Sequence, residues 1–248
     1  MAAVPVVGYG MMAVMSEFDA ILFDAGGVLL LPSPEQTGPL LEPFGGTTDD
    51  ATLLRAHFVA AHAMDLARAD GDRAEWPAYL RAYARTAGVP ADREDAAVEA
   101  FAAEFGHHFW RRPLPGAAEA LTALADRGVP IGIVSNAGGQ VEGDLAAFGI
   151  CGLDTPGAAK VVCVVDSHLV GVAKPDPAIF RTALEALGLP ASPRIGYVGD
   201  TVFYDVRASA AAGLSPLLHD PYGIHRADPH PSGPHRLLPD LKSLLELV

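Results

Sequence analysis

The stretch Ala20-Ile21-Leu22-Phe23-Asp24-Ala25-Gly26-Gly27-Val28-Leu29-Leu30 joins an apolar run of strand length to one carboxylate and then two glycines. A chain written this way leaves a buried strand through a sharp turn and places a single Asp at the strand's carboxyl end. Open α/β sheets bind ligands at that edge. Asp-containing turns are common by themselves, so the reading depends on what recurs downstream. A second junction of the same kind, Arg194-Ile195-Gly196-Tyr197-Val198-Gly199-Asp200, is followed by Asp205. Between the two lie Ser135-Asn136, after the apolar run Ile131-Gly132-Ile133-Val134, and Lys174-Pro175 just ahead of a helix start.

From Pro115 onward the hydrophobic pattern alternates between strand and helix. Strands are expected over 130–134, 161–165, 195–198 and 215–218, and helices over 116–126, 141–148, 177–187 and 204–212. Continuous apolar strands alternating with helices imply a parallel sheet covered on both faces, a doubly wound α/β core. Asp176-Pro177 reads as an N-cap followed by proline at the first helical position. A short last helix is expected over 239–247.

The segment between the first and second strands is helical instead. Over 49–69, Leu53, Leu54, Phe58, Ala60, Ala61 and Met64 share one broad face. Trp76, Tyr79, Leu80 and Tyr83 mark a second helix, and Val98, Phe101, Ala102, Phe105 and Phe109 a third. These three helices form a small helical subdomain over 33–112, inserted into a core made of 16–32 and 113–248.

The chain has 248 residues, half of them hydrophobic and 19% charged, which suits a globular enzyme and excludes a disordered chain. A formal net charge of -13 without a basic cluster argues against nucleic acid or an anionic membrane as partner. No apolar segment is long enough to span a bilayer. Cys151 and Cys163 form no metal-binding spacing, so free thiols in a reducing cytoplasm are the expectation. Residues 1–15 are apolar, lack a preceding cation and run straight into the first strand. They read as a disordered extension or a misplaced start, with Met11, Met12 and Met15 as alternative starts, rather than as a signal peptide. The proline-rich tail over 219–235 holds His219, His225, His230 and His235 at irregular spacing and is expected to be a solvated loop.

Asp, Ser-Asn, Lys-Pro and a carboxylate pair, each at a strand end or helix start and in that order, resemble the haloacid dehalogenase superfamily of aspartate-nucleophile hydrolases. The resemblance runs from about Phe18 to His219 and is carried by the ordered set. Individually, Ser135-Asn136 could start a loop, Lys174-Pro175 could be a surface turn, and Asp205 could be favoured by a helix dipole. Three carboxylates converging in one cleft repel, so some stay protonated or a cation lies between them. Oxygen ligands without His or Cys select a hard ion, hence Mg2+. The resemblance implies Asp24 as the nucleophile and the Gly26 carbonyl and Asp200 as metal ligands with Asp24, while Asp205 supports or joins that site. It implies that Ser135 binds the transferring phosphoryl group, that Lys174 neutralises it, and that Asn136 orients substrate. The helical insert would be a cap closing over the site; the alternative is helices simply packed on the sheet.

One departure from the family pattern matters. Most of its phosphatases carry a second Asp two residues after the nucleophile as general acid and base, and here that position is Gly26. Its loss removes a contribution on the order of 10²- to 10⁴-fold, least damaging with a good leaving group. Three outcomes are open. The first is a Mg2+-dependent phosphatase of a small phosphorylated metabolite with a good leaving group, such as a sugar 1-phosphate or acyl phosphate, or one borrowing a donor from the cap. His57 and Arg68, on one side of the first long helix, and Tyr204 are candidates for the cleft. The second is a 2-haloacid dehalogenase, in which Asp24 attacks carbon and no second Asp is needed; Asp200 with Asp205 argues against it. The third is a binding protein without turnover, against which the retained Asp24, Ser135, Lys174, Asp200 and Asp205 count. A monomer or homodimer is compatible with all three.

Overall fold

The computed structural model describes residues 16–67, 76–231 and 235–248. The expectations for 1–15 and for Arg68 lie outside them. Six parallel strands form the central sheet: β1 (Ala20–Phe23), β2 (Ile131–Ser135), β3 (Cys163–Asp166), β4 (Ile195–Gly199), β5 (Ser215–His219) and β6 (Arg236–Leu238), in the order β6-β5-β4-β1-β2-β3. Every residue of β1, β2 and β4 is buried, as continuous apolar strands covered on both faces require. The chain steps outward from β1 to β2 and β3, then crosses to the other side of β1 for β4. That reversal opens a crevice at the carboxyl ends of β1, β2 and β4.

Between β1 and residue 110 the described residues form four α-helices: α1 (Pro34–Leu41), α2 (Asp50–Leu66), α3 (Trp76–Thr86) and α4 (Glu94–Glu104). Asp49 caps α2 by accepting from the Thr52 N–H at 2.8 Å, an interaction typically worth about 1 kcal/mol. Helix α2 is buried on several faces, because Leu53, Ala56, Ala60 and Met64 pack on Tyr79, Leu80 and Tyr83 of α3 while His57, Ala61 and Asp65 turn towards the sheet edge. Glu94 opens α4 and receives both Arg81 and Arg85 of α3, which joins the two helices. Helix α4 ends at Glu104, so Phe105 and Phe109 lie beyond it rather than on its face; Phe109 is still buried.

Several elements depart from the sequence reading. Leu30–Pro32 and Trp110–Pro113 pair antiparallel, so a two-stranded ribbon links the helices to the sheet. The helix expected over 204–212 begins as a π turn at Val202–Val206 and becomes α-helical at Arg207–Ala211. The last helix is the 3-10 segment Leu241–Glu246. The tail is not a solvated loop. His219 closes β5, and His219, His225 and His230 are buried. His225 stacks edge-on against His62 of α2, with ring centroids 4.4 Å apart, and His62 Nε2 lies 3.3 Å from Asp228 Oδ2. The imidazole's apolar body makes that burial tolerable where a Lys or Glu would resist it. Cys151 and Cys163 are free thiols, and no helix among the described residues is long and apolar enough to cross a membrane.

Candidate active site

Asp24 follows β1, Asp200 follows β4, and Ser135 ends β2, so the strand order brings the three together at one edge. Lys174 enters from the loop after β3. Its Nζ donates to Asp24 Oδ2 at 2.8 Å, to Asp205 Oδ1 at 2.7 Å and to the Tyr197 hydroxyl at 2.7 Å. The Asn136 amide holds the Lys174 backbone at both polar groups, donating to its carbonyl at 2.9 Å and accepting from its N–H at 2.8 Å. Asn136, expected to orient substrate, therefore first positions Lys174. The Lys174-Pro175 peptide is cis. Asp24 Oδ1 accepts from the Ala25 N–H at 2.7 Å, so both of its carboxylate oxygens are fixed.

Asp205 is almost fully buried. Its Oδ1 faces Lys174 and, at 3.1 Å, the Tyr197 hydroxyl; its Oδ2 accepts from the Thr201 N–H at 3.0 Å and the Thr201 hydroxyl at 2.6 Å. The π turn folds Asp205 back onto the strand end, as such turns often do at functional sites. Two glycines make room. A Cβ at Gly27, where φ is +75°, would lie 2.2 Å from the Asp200 carboxyl carbon, and one at Gly199 would lie 2.2 Å from the Asp205 Cβ.

Helix α2 contributes two contacts from the far side. His57 Nε2 lies 3.0 Å from Asp200 Oδ2, and its Nδ1 lies 3.0 Å from the Tyr79 hydroxyl. Asp65 accepts from the backbone N–H groups of Val202 at 2.6 Å and Phe203 at 2.9 Å, clamping the loop that carries Asp200 and Asp205. Trp110, from the ribbon, stands edge-on to His57 at 5.1 Å between centroids. A Cβ placed on Gly26 would touch its ring at 3.5 Å. Sequence reasoning missed Asp65, Trp110, Tyr197 and Thr201. Asp65 carried one signal, a carboxylate on the same buried helix face as His57 and Ala61.

A cavity of about 390 Å³ opens between the sheet edge and the helices. Asp24, Ser135, Lys174 and Asp200 line its floor, and Trp76, Tyr79, Phe105, Trp110 and Tyr204 its walls. Burial pushes the Asp24 carboxyl up to about 7 against the pull of Lys174, with Asp205 and Asp200 adding to the rise. Asp200 is pushed well above the carboxylate range by burial first and Asp205 second. Burial opposes the Lys174 charge, but Asp205 and Asp24 together outweigh it and raise its pKa. Burial drives His57 down to about 3, so it is neutral. Oxygens of Asp24, Asp200 and Asp205 lie within 4.8 Å of one another, with one ammonium against three carboxylates. This all-oxygen, charge-deficient set fits a hard divalent cation. Asp205 faces four polar partners, more than Asp24 or Asp200 does.

The haloacid dehalogenase-like hydrolase family model matches residues 18–213, and the chain belongs to that family. It is 30% identical over 232 residues to the phosphoglycolate phosphatase of Rhodospirillum rubrum, across 91% of this chain and 88% of that one. It is 33% identical over 137 residues to the pyrimidine 5'-nucleotidase YjjG of Escherichia coli, 55% and 56% of the two chains. A crystal structure of a dehalogenase with an intermediate complex superposes with a TM-score of 0.56 at 19% identity, covering 95% of this chain and 99% of the other, a likeness of fold.

Proposed function

We propose that the chain is a Mg2+-dependent phosphatase of a small phosphorylated metabolite, working through an aspartyl-phosphate on Asp24. The observation that carries this reading is the Lys174 ammonium bonded to both Asp24 and Asp205 beside Asp200. It leaves a nucleophile next to a cation and an unbalanced pair of anions. Mg2+ held by Asp24, Asp200 and the Gly26 carbonyl would neutralise phosphoryl oxygens and let one anion approach another. An Asp24 oxygen attacks phosphorus as the bond to the leaving oxygen breaks, and water then cleaves the acyl phosphate, releasing phosphate and regenerating Asp24. Lys174 orients Asp24 and balances charge on the transferring group, and the Ser135 hydroxyl donates to it. Asp205, with Tyr197 and Thr201, is a positioning residue for Lys174. Segment 33–112 acts as a cap on the core of 16–32 and 113–248, excluding water over the cavity. The phosphatase names of the two sequence relatives support the reaction class. The two free cysteines suit a cytoplasmic setting.

Phosphate release from a panel of phosphomonoesters, with Mg2+ and with chelator, tests the reading. Metal-dependent release that Asp24→Asn abolishes without unfolding the protein is expected, and unchanged turnover in that variant would sink the nucleophile. A second reading, a 2-haloacid dehalogenase, has one observation in its favour: His57 already partners Asp200. Metal-independent halide release from 2-chloropropionate would select it.

A further inference from the structure

We propose that the preferred substrate is an aryl phosphate, a phosphomonoester whose leaving group is a single uncharged aromatic ring; this rests on the phosphatase reading above. Three observations converge on it. The first is charge. Among the described residues lining the cavity there is no arginine, and the sole lysine is Lys174, whose three protons already point at Asp24, Asp205 and Tyr197. The wall adds a carboxylate, Asp144, paired with Arg111 at 3.1 Å. Among the described lining residues, a leaving group carrying its own carboxylate or second phosphate meets no lysine or arginine beyond Lys174, and the carboxylate it faces already holds Arg111.

The second observation is shape. Trp76, Tyr79 and Phe105 form a continuous aromatic surface with ring centroids 5.3 to 5.6 Å apart, and Trp110 stands beside Gly26. Aromatic faces of this kind take a flat apolar ring in offset or edge-on packing. A polyol would leave most of its hydroxyls unpaired against them, a loss that strongly disfavours such ligands. The cavity, at about 390 Å³, has the size of a small-molecule site.

The third is the leaving oxygen. Gly26 supplies no acid, the Tyr79 hydroxyl is bonded to His57 Nδ1, and His57 Nε2 to Asp200. With those donors engaged and Tyr204 the other tyrosine hydroxyl on the wall, a leaving group that departs without a proton suits the site better than one that needs an acid. A phenol ionises near 10, as tyrosine does, whereas an alkoxide is comparable to hydroxide, whose conjugate acid has a pKa near 15.7. The phenolate is by far the better group to depart unprotonated. In balance, the bond from Asp24 oxygen to phosphorus forms, the P–O bond to the ring breaks, and its electron pair leaves on the phenolate, which takes a proton from solvent.

The test compares kcat/KM with Mg2+ for phenyl phosphate, 2-phosphoglycolate and glucose 6-phosphate, together with a series of ring-substituted phenyl phosphates. Phenyl phosphate is expected to lead both others by at least about tenfold, and the rate to rise steeply as the phenol becomes more acidic, the mark of unassisted departure. Trp76→Leu, a change at a partly exposed position, should shrink the lead of phenyl phosphate over 2-phosphoglycolate by about three- to tenfold. If 2-phosphoglycolate or glucose 6-phosphate matches phenyl phosphate, or Trp76→Leu leaves the ratio unchanged, the substrate class falls and the phosphatase stands. If none of the esters releases phosphate, the phosphatase reading falls with it.

Discussion

His57 Nε2 lies 3.0 Å from Asp200 Oδ2, so one hydrogen bond between two buried side chains joins helix α2 to the strand end that holds a proposed metal ligand. Partners of this kind orient a ligand, and losing them typically weakens metal binding by about 10- to 100-fold. His57→Ala is therefore expected to lower Mg2+ affinity by about tenfold or more. Trp110, 5.1 Å from the imidazole, offers a fluorescence reporter for the titration. An unchanged affinity would reduce His57 to a packing residue.

Asp65 tests the other contact made by α2. Its two oxygens satisfy the buried N–H groups of Val202 and Phe203. Burial still pushes its carboxyl up to about 8, overcoming those two donors. Asp65→Ala orphans both N–H groups and should cost about 3 kcal/mol, read as a lower midpoint in urea denaturation. Asp65→Asn keeps an acceptor and should lose roughly half as much. Equal midpoints for all three proteins would show that the clamp carries no stability.

Stability towards acid has its own marker in His225. Burial first, then the neighbouring His62, His235 and His230, pushes it down to about 3, while Asp228 pulls weakly the other way. In the unfolded chain it titrates near 6.5. As pH falls through that value the unfolded state gains a proton that the folded state refuses. The contribution is thus whole above about 6.5 and drains away as pH falls towards 3. Replacing it by His225→Phe should recover up to about 2 kcal/mol of the stability the parent loses between pH 7.5 and pH 5. His57 and His219 remain in both proteins, as do the raised Asp24 and Asp65, so the difference isolates His225. Parallel stability curves would refute the assignment.

Gly26 offers a gain of function. A Cβ there finds ordinary contact at 3.5 Å from Trp110, so a side chain can start at this position. Gly26→Asp introduces a proton donor beside the leaving oxygen and should speed alkyl phosphates on the order of 10²-fold, with little effect on aryl ones. Equal effects on both would mean that departure already has a donor from another group.

The sheet-edge part of the site was legible because each piece sits in a local pattern. Asp24, Ser135 and Asp200 end apolar runs, and Lys174 precedes a capped helix start. Parallel strands then force those ends together whatever the loops do. Contacts with no local pattern were not legible. Asp65 reaches Val202 across 137 positions of chain, and nothing near either residue announces the other. Trp110 and Pro113 looked like the end of a helical stretch because two short ribbon strands carry too few residues for a period of two to show. The tail misled for a related reason: prolines and irregular histidines predict exposure, and only the packed surface of α2, with His62 on it, makes their burial favourable.

The double grip of α2 on the Asp200 loop has a bearing on engineering. The helices look like an exchangeable module, yet His57 and Asp65 are mechanically part of the candidate site. A chimaera that imports another relative's helices for their specificity would leave Asp200 without its neighbour and two backbone donors without an acceptor. The smallest transplantable unit is therefore the helical segment together with residues 199–206, and recombination points inside either half should yield folded proteins with a slack centre.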